Sequence, residues 1–219
     1  METIRLFYEK KGIAKYLSHL DIMRCFTRAV KITGYKAWYT EGFNPHLYLM
    51  FASPLSLGFE SNYEVVDLRL DESSDLNDFV SRMNMALPNG IHVNSASKAV
   101  MSYKDVGYSS WRILINVDDA VTVKKTILEY VDQKEILISR SSKRGVVRTE
   151  DIKQYIRKIS IEYIDSTVII YADFTTNTSV SLNPQVFMEN FWVYSEMKNI
   201  PLVKITRDAL LDNKGNLFK

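Results

Sequence analysis

Apolar and polar residues along the chain repeat with two periods, which predict short strands and helices in alternation. Residues 4–8, with the sequence IRLFY, form a compact apolar run typical of a strand. Apolar side chains then recur at helical spacing between residues 20 and 30. Ser18 and Asp21 have the spacing of a capping box, and Gly34 is a residue type that commonly ends a helix. The pattern therefore predicts a helix that Ser18 opens and Gly34 ends.

The rest of the first half continues the alternation. The pattern predicts strands over 36–40, 48–52, 64–70 and 91–95 and a helix over 75–87. Alternating positions in the strand over 64–70 predict one buried face and one exposed face. The order of elements is β-α-β-β-α-β with one additional strand, and this is the order of the ferredoxin-like fold.

The second half repeats this order less clearly. Its predicted elements are a strand over 111–117, a helix over 121–131, strands over 134–139 and 161–173, a helix over 184–197 and a closing strand over 201–206. The strand over 161–173 is predicted to break near Asp165-Ser166. The segment 102–109 is polar and aperiodic, so we place a domain boundary there. The sequence thus predicts an α+β protein of two tandem ferredoxin-like domains, residues 1–102 and 109–219.

Composition indicates a folded protein. Of the 219 residues, 46% are hydrophobic and 25% are charged, which is ordinary for a globular protein and argues against disorder. Lys and Arg total 28 while Asp and Glu total 26, so the net charge is only +2. That balance excludes a uniformly basic, histone-like chain but is compatible with a local basic face.

Cysteine content and targeting signals narrow the class further. The single cysteine, Cys25, excludes an intramolecular disulfide and a zinc or iron–sulfur site built from cysteines of this chain. The charged N-terminal segment is unlike a secretory signal, and no apolar run reaches the roughly 20 residues that a membrane-spanning helix needs. We therefore expect a cytoplasmic, bacterial protein with no membrane partner.

The first candidate site is the SHLD sequence at 18–21 with the basic residues that follow. His19 falls at the first helical position, where the helix dipole disfavours a charged imidazole, so we expect a neutral ring that can act as a general base. The alternative is an ordinary polar first turn in which Asp21 satisfies the dipole. Three cations at helical spacing share one face and form either a phosphate-binding stripe or a solvated surface. These cations are Arg24, Arg28 and Lys31.

The second candidate is the EGFNPH loop, Glu41 to His46, which gathers a carboxylate, an amide, an imidazole and an aromatic ring. Loops this rich in functional groups are often binding or catalytic sites. The alternative is a structured connection whose backbone Gly42 and Pro45 set. No known metal-ligand spacing is present, and we predict no metal or other cofactor.

The two candidate segments are expected to lie side by side and to line one pocket. In a β-α-β-β-α-β unit, the start of the first helix can approach a loop at the end of a neighbouring strand. The predicted pocket residues are Ser18, Asp21, Arg24, Glu41 and Asn44.

The third candidate is a basic loop over residues 140–148, in which serine and glycine residues separate four cations. The cations are Arg140, Lys143, Arg144 and Arg148. Such a loop suits nucleic-acid phosphate contacts that carry no sequence information. Lys204 and Arg207, near the closing strand, are predicted to extend this basic set. The alternative is a solvated hairpin turn.

Several segments of the first half occur together in one known family. They are residues 16–24 (YLSHLDIMR), 39–46 (YTEGFNPH), 51–55 (FASPL) and 58–61 (GFES). Through these segments the chain resembles the bacterial radical SAM-linked protein family, a domain of unknown function, over residues 4–70. The second half resembles the family less closely. The basic loop corresponds, but Asn183 precedes Pro184 where the family tends to have an arginine.

The resemblance implies that members occur alone or joined to cobalamin-dependent radical SAM proteins, and so it implies a radical SAM protein as a partner. The chain itself cannot hold the three-cysteine cluster motif of such enzymes, because it has one cysteine. The predicted fold is also similar to that of tandem ferredoxin-like endoribonucleases that process CRISPR repeat RNA. Those proteins can use a histidine near the first helix without a metal, and His19 is at a comparable place.

Three functions fit these features. The leading hypothesis is an RNA-binding accessory module for RNA modification or processing, linked to a radical SAM enzyme. The second is a metal-independent endoribonuclease that uses His19 or His46, and the third is a protein–protein adaptor for a radical SAM partner. A positive cleft would favour RNA binding, and two converging imidazoles would favour the nuclease. An exposed apolar patch beside the motifs would favour the adaptor.

Overall fold

The computed structural model describes residues 1–71, 74–141, 147–177 and 179–219, and the side chains of these residues except 140, 141 and 147. Within these ranges the chain forms ten strands and four α-helices, which confirms the predicted α+β class. The strands are β1 (Glu2–Lys10), β2 (Met50–Phe51), β3 (Glu60–Leu70), β4 (Ile91–Lys98), β5 (Val106–Asn116), β6 (Leu137–Ser141), β7 (Val147–Asp151), β8 (Ile156–Ile164), β9 (Thr167–Thr175) and β10 (Val203–Asp212). The helices are α1 (His19–Thr33), α2 (Leu76–Ala86), α3 (Ala120–Asp132) and α4 (Pro184–Ser195).

Most strands lie side by side in one large sheet, in the order β4-β1-β3-β10-β5-β9-β8, with the short β2 also paired to β3. Neighbouring strands are antiparallel except β3 and β10, which are parallel. The parallel contact is limited to Glu60 with Thr206 and Ser61 with Arg207. We call this contact the seam, because it joins the strands of the first half of the chain to those of the second half. Strands β6 and β7 form a separate hairpin.

The helix ends follow the local signals in the sequence. The Ser18 side chain accepts a hydrogen bond from the Asp21 backbone N–H at 3.2 Å, which satisfies one of the free donors at the start of α1. Gly34 ends the helix in the left-handed conformation, with a φ of 76°. Both predicted ends of α1 are therefore confirmed. Among the helices that the structure describes, none is long and apolar enough to cross a bilayer.

Residues 36–52 are less regular than predicted. Isolated bridges at Ala37 and Tyr39 replace the first predicted strand, and the second is reduced to the two residues of β2. The reason is that β10 occupies the beginning of the outer edge of β3, so only the end of that edge remains for this segment.

The predicted boundary segment, 102–109, also differs from the expected linker. Tyr103–Asp105 forms a 3-10 turn, and β5 begins at Val106. Ser109, which is polar in the sequence, is fully buried, and its hydroxyl accepts a hydrogen bond from Trp111 Nε1 at 2.7 Å. A hydrogen-bonded serine can thus occupy a buried strand position, and polarity alone is a poor sign of a linker.

Each half of the chain has a core between its helices and one face of its strands. Phe26, Leu68 and Phe79 are fully buried in the first core, with α1 and α2. Ile113 and Phe187 are fully buried in the second core, with α3 and α4. These two cores hold most of the large apolar side chains that the helical and strand periods predict to be buried.

A third apolar cluster covers the opposite face of β1 and β3. It contains Phe7, Val65, Leu210 and Phe218. As a result β3 is buried on both faces, and the prediction of one exposed face over 64–70 is wrong. The sequence period could not reveal this because the covering residues come from β10 and from the last residues of the chain, far away in sequence.

Candidate functional site

A small cleft lies beside the seam, where α1 begins. Its accessible volume is about 10 Å³, room for about one water molecule, and residues of several separate segments line it. Its lining includes Tyr8, Lys10, His19, Phe51, Ser53 and Glu64. We call it the seam cleft. It brings the SHLD sequence together with the FASPL sequence, two of the segments that carry the family resemblance.

His19 sits at the edge of the seam cleft. Its ring meets the ring of Phe51 edge-on, with the centroids 5.0 Å apart. Partial burial of the imidazole, and secondly the positive charge of Lys10, lower the pKa of His19 below its usual value. The neutral imidazole predicted from the sequence agrees with this direction. The physical cause is burial and a neighbouring lysine, whereas the prediction rested on the helix dipole.

Three charged side chains are almost fully buried at the seam. Lys10, Glu64 and Arg207 are 3%, 3% and 1% exposed. The Arg207 Nε lies 3.2 Å from the Glu64 Oε1, although the pair is not aligned for a hydrogen bond. Burial raises the pKa of Glu64, against the opposing effects of Arg207 and Lys10. Charged groups in this position are costly unless they have partners.

Arg207 also holds the FASPL segment in place. Its terminal nitrogens donate to the carbonyls of Ser53 at 3.1 Å and Pro54 at 3.3 Å, and its guanidinium lies 5.1 Å from the ring centroid of Trp111. The prediction that Arg207 extends a surface basic set is therefore wrong, because its side chain is buried and used inside the protein. Lys204 is exposed, but its ammonium pairs with Glu60 at 2.8 Å.

The polar residues of SHLD form a local network at the start of α1. The Ser18 hydroxyl donates to the Asp21 carboxylate at 2.6 Å, and Arg24 Nη1 lies 3.3 Å from the same carboxylate. The Ser18 hydroxyl, followed by Arg24, lowers the pKa of Asp21. The structure thus brings Ser18, Asp21 and Arg24 together as a polar first turn, which was the alternative interpretation of this motif.

The EGFNPH loop is bonded mainly to itself. The His46 Nδ1 lies 2.9 Å from the Thr40 hydroxyl and 3.3 Å from the Asn44 carbonyl. Glu41 and Asn44 are exposed, and Phe43 is fully exposed. No described residue of the loop lines the seam cleft. A pocket shared by both motifs stays a prediction, and so does a site that uses both imidazoles.

The cations of α1 are all exposed: Arg24, Arg28 and Lys31. In the other predicted basic segment, Arg148 is exposed on β7. Lys143, Arg144 and the side chain of Arg140 lie outside the described residues. Among the residues that the structure does describe, no group of three His, Cys, Asp or Glu side chains could hold a metal ion.

The geometry thus defines a class of protein: an α+β sheet protein with a small cleft at its seam and a helix, α1, that exposes three cations. A family model described as "Uncharacterized protein conserved in bacteria (DUF2344)" matches residues 3–184, and the chain belongs to this family. Comparison with curated protein sequences gives no match. The family description gives no reaction and no partner.

Solved structures give only distant similarities. One is a chain of a Cbf5-Nop10-Gar1 complex, with 9% identity and a TM-score of 0.46, covering 94% of this chain and 48% of that one. The present chain therefore spans about half the length of that relative. Another is an unknown protein from Galdieria sulphuraria, with 10% identity and a TM-score of 0.29, covering 94% of this chain and 98% of that one. Both scores are low, so we infer nothing about function from them.

The electrostatics of the seam cleft can be tested directly. Replacing Lys10 with methionine is expected to raise the pKa of His19, because removing a nearby positive charge makes protonation of the imidazole easier. Lys11→Met is the matched control, since the Lys11 ammonium pairs with Glu9 at 2.6 Å. An NMR titration of the His19 ring protons measures both. An unchanged His19 pKa in Lys10→Met would contradict this arrangement.

Proposed function

We propose that this protein is an RNA-binding accessory module for RNA modification or processing, and that the exposed face of α1 is its main contact with the phosphate backbone. The observation that carries the proposal is the set of three exposed cations on one helix face. Of these, Arg24 has a carboxylate partner, and no described residue places a carboxylate within 4 Å of Arg28 or Lys31. Cations without acidic partners are available to displace counterions from a polyanion.

The proposal includes two finer points of architecture. The first-half strands have the order β4-β1-β3-β2 and the second-half strands have the order β10-β5-β9-β8. In each set the strands follow the same order along the chain, which supports two tandem ferredoxin-like domains. Joined edge to edge at the seam, two such units would offer one continuous surface to a nucleic acid.

The proposed setting is the cytoplasm, with a radical SAM protein as partner. This partner rests on the resemblance of the SHLD, EGFNPH and FASPL segments alone. RNA binding does not depend on it, because the cations of α1 belong to this chain. RNA binding and the radical SAM partner are therefore two separate proposals that can be tested independently.

A protein–protein adaptor is a second candidate, and a specific observation favours it. Exposed apolar side chains surround the start of α1, and their backbone segments are joined by a hydrogen bond of 2.9 Å from the Gly58 N–H to the Lys15 carbonyl. The side chains are Ile13, Tyr16, Leu20 and Leu57, which are 80%, 63%, 54% and 62% exposed. Apolar groups clustered on a surface are typical of protein contacts.

RNA binding is tested by filter-binding titrations against transfer and ribosomal RNA at two salt concentrations. We expect saturable binding that weakens steeply with salt, by a slope of about −0.7 per phosphate contact for single strands. Replacing Arg24, Arg28 and Lys31 together with alanine should weaken binding and flatten the slope by about 2 units if each makes a contact. The matched control removes three exposed lysines elsewhere, Lys125, Lys198 and Lys214, and should leave the slope nearly unchanged.

The basic loop is tested in the same assay. Replacing Arg140, Lys143, Arg144 and Arg148 with alanine should flatten the slope by about 2 to 3 units if each makes a contact. His19→Ala should leave binding nearly intact, because a neutral imidazole forms no ion pair, and should abolish RNA cleavage only if the protein is a nuclease. No saturable binding to any RNA at low salt would contradict the proposal and favour the adaptor.

A further inference from the structure

The EGFNPH loop is the tip of a small hairpin that carries a pair of aromatic rings. Backbone hydrogen bonds join its arms, from the Tyr48 N–H to the Trp38 carbonyl at 3.2 Å and from the Thr40 N–H to the His46 carbonyl at 2.8 Å. This pairing places the rings of Trp38 and Tyr48 side by side, with their centroids 5.5 Å apart. Both residues are only half-buried, so part of each remains accessible from outside the protein.

The half-buried side chain of Arg69, on β3, completes this group. Its guanidinium carbon lies 4.8 Å from the ring centroid of Trp38 and 4.8 Å from that of Tyr48. The Trp38 N–H donates to the Arg69 carbonyl at 3.0 Å, which holds the hairpin against β3. We call Trp38, Tyr48 and Arg69 the aromatic platform. A guanidinium that stacks on rings keeps its N–H donors at its edge, where an anion can approach them.

Arg69 differs from the other arginines that stack on rings in the described part of the chain. Four others do so, and each has a carboxylate oxygen between 2.7 and 3.2 Å away. They are Arg5, Arg82, Arg157 and Arg207. For the Arg69 guanidinium, no described residue supplies a hydrogen-bond acceptor or a carboxylate within 4 Å. Its charge and donors are therefore available to an anion from outside the chain.

The hairpin also reaches the basic face of α1. Tyr39 packs against the first core, and its ring centroid lies 6.0 Å from the Lys31 ammonium. The next residue back along the chain, Trp38, contacts Arg69 instead. Two adjacent residues of the hairpin thus lie beside the last cation of α1 and beside the cation of β3. A strand of RNA that contacts α1 can continue over this edge of the sheet onto the aromatic platform.

We propose that the aromatic platform binds single-stranded RNA, with an unpaired base stacked on the rings and its phosphate at the edge of the Arg69 guanidinium. Aromatic side chains and arginine stack on any base, since every base has a π-face. Bases inside a duplex already stack on one another, so the aromatic platform selects unpaired segments. This inference rests on the proposed RNA binding and adds to it the class of RNA that is recognised.

Stacking is tested by following tryptophan fluorescence while a short single-stranded RNA is added to the protein. The chain has three tryptophans, and Trp111 and Trp192 are only 6% and 7% exposed, so a change on binding reports mainly on Trp38. We expect saturable quenching, and weaker binding of a duplex of the same length. RNA that saturates the protein in a filter-binding assay without quenching would overturn this inference and leave the RNA proposal standing. No binding of any RNA would overturn both.

Substitutions separate stacking from phosphate contacts. Trp38→Ala should weaken binding of single-stranded RNA about fivefold or more and leave the salt slope unchanged, because stacking releases no counterions. Trp38→Phe retains a ring and should retain most of the affinity. Arg69→Gln should weaken binding and flatten the salt slope by about 0.7, the value for one phosphate contact. Arg82→Gln is the matched control and should change neither quantity, since Arg82 also stacks on a ring but pairs with Asp78.

The variant lacking Arg24, Arg28 and Lys31 distinguishes this inference from the proposed function. Wild-type affinity in folded Trp38→Ala and Arg69→Gln proteins, with the α1 variant impaired, would overturn the aromatic platform and leave RNA binding through α1 standing. Weakened binding in Trp38→Ala and Arg69→Gln, with the α1 variant unaffected, would support the aromatic platform and contradict the contact through α1.

Discussion

Replacing Arg5 with methionine is expected to lower the free energy of unfolding by about 3–5 kcal/mol, because the substitution leaves a buried carboxylate without its partner. Arg5 Nε and Nη2 bond the two oxygens of Asp67 at 2.8 and 2.9 Å, and the side chains are 1% and 7% exposed. For a chain of this length such a loss corresponds to a fall in Tm of about 6–20 °C.

The surroundings of Arg5 make the expected effect large. The guanidinium also donates to the carbonyls of Met101 and Lys219, and it lies 5.0 and 4.6 Å from the ring centroids of Tyr103 and Phe218. It thus ties β1 to two segments that cover the back of the sheet. No other side-chain type combines a fixed charge, several donors and a planar stacking surface in this way.

Urea unfolding measures the change. The exposed pair of Arg24 and Asp21 is the control, and Arg24→Ala should cost less than about 1 kcal/mol. The double variant Arg5→Met, Asp67→Leu should recover much of the stability, since replacing a whole buried pair costs far less than breaking it. A loss below about 1 kcal/mol in Arg5→Met would contradict the role assigned to this pair.

Replacing Arg207 with methionine is expected to cost a similar amount, about 3–5 kcal/mol. The change leaves Glu64 buried without its nearest cation and removes both hydrogen bonds to the FASPL carbonyls. The seam has only two residue pairs in register, and Arg207 belongs to one of them and also holds the FASPL segment beside it. We therefore expect the two halves of the chain to become more independent as well as less stable.

Lys204→Met is the matched control for Arg207→Met. Lys204 is on the same strand and also pairs with a glutamate of β3, but its side chain is 53% exposed, so its loss should cost at most about 1 kcal/mol. Unfolding followed by Trp fluorescence compares the two variants. Equal losses of unfolding free energy in both variants would contradict the larger effect that we expect from the burial of Arg207.

The local elements were predictable from the sequence because their signals are local. A serine before the first turn and a glycine after the last are enough to place α1, and Asp75 likewise caps α2, accepting from the Asn77 N–H at 2.9 Å. The turn between β8 and β9 was also located correctly, at Asp165, which has a positive φ of 51°.

The seam was not predictable because it is non-local. At the seam the Ser61 hydroxyl donates a hydrogen bond to the Arg207 backbone carbonyl, although the two residues are 146 positions apart in the sequence. Arg207 lies just after the predicted closing strand and near Lys204, and this position predicts only that it extends the basic set of the loop over 140–148. Arg207 is internal because β10 lies against β3, and β3 is covered on both faces.

One signal for the seam cleft was present but was not used. In β1, Leu6, Tyr8 and Lys10 are two residues apart, so the lysine falls on the same face as two buried side chains. A charged residue that continues the apolar face of a strand is a candidate for a buried functional group. Nothing in the sequence indicates that Glu64 and Arg207 would join it.

Crosslinking RNA to the protein in living cells, followed by identification of the crosslinked peptides, tests the proposed function most directly. The wild-type protein should carry RNA crosslinks on peptides from α1, and the variant lacking Arg24, Arg28 and Lys31 should recover about tenfold less RNA. The variant lacking Lys125, Lys198 and Lys214 should match the wild type. RNA recovery that is equal in all three proteins, or crosslinks confined to α3 and α4, would contradict the proposal.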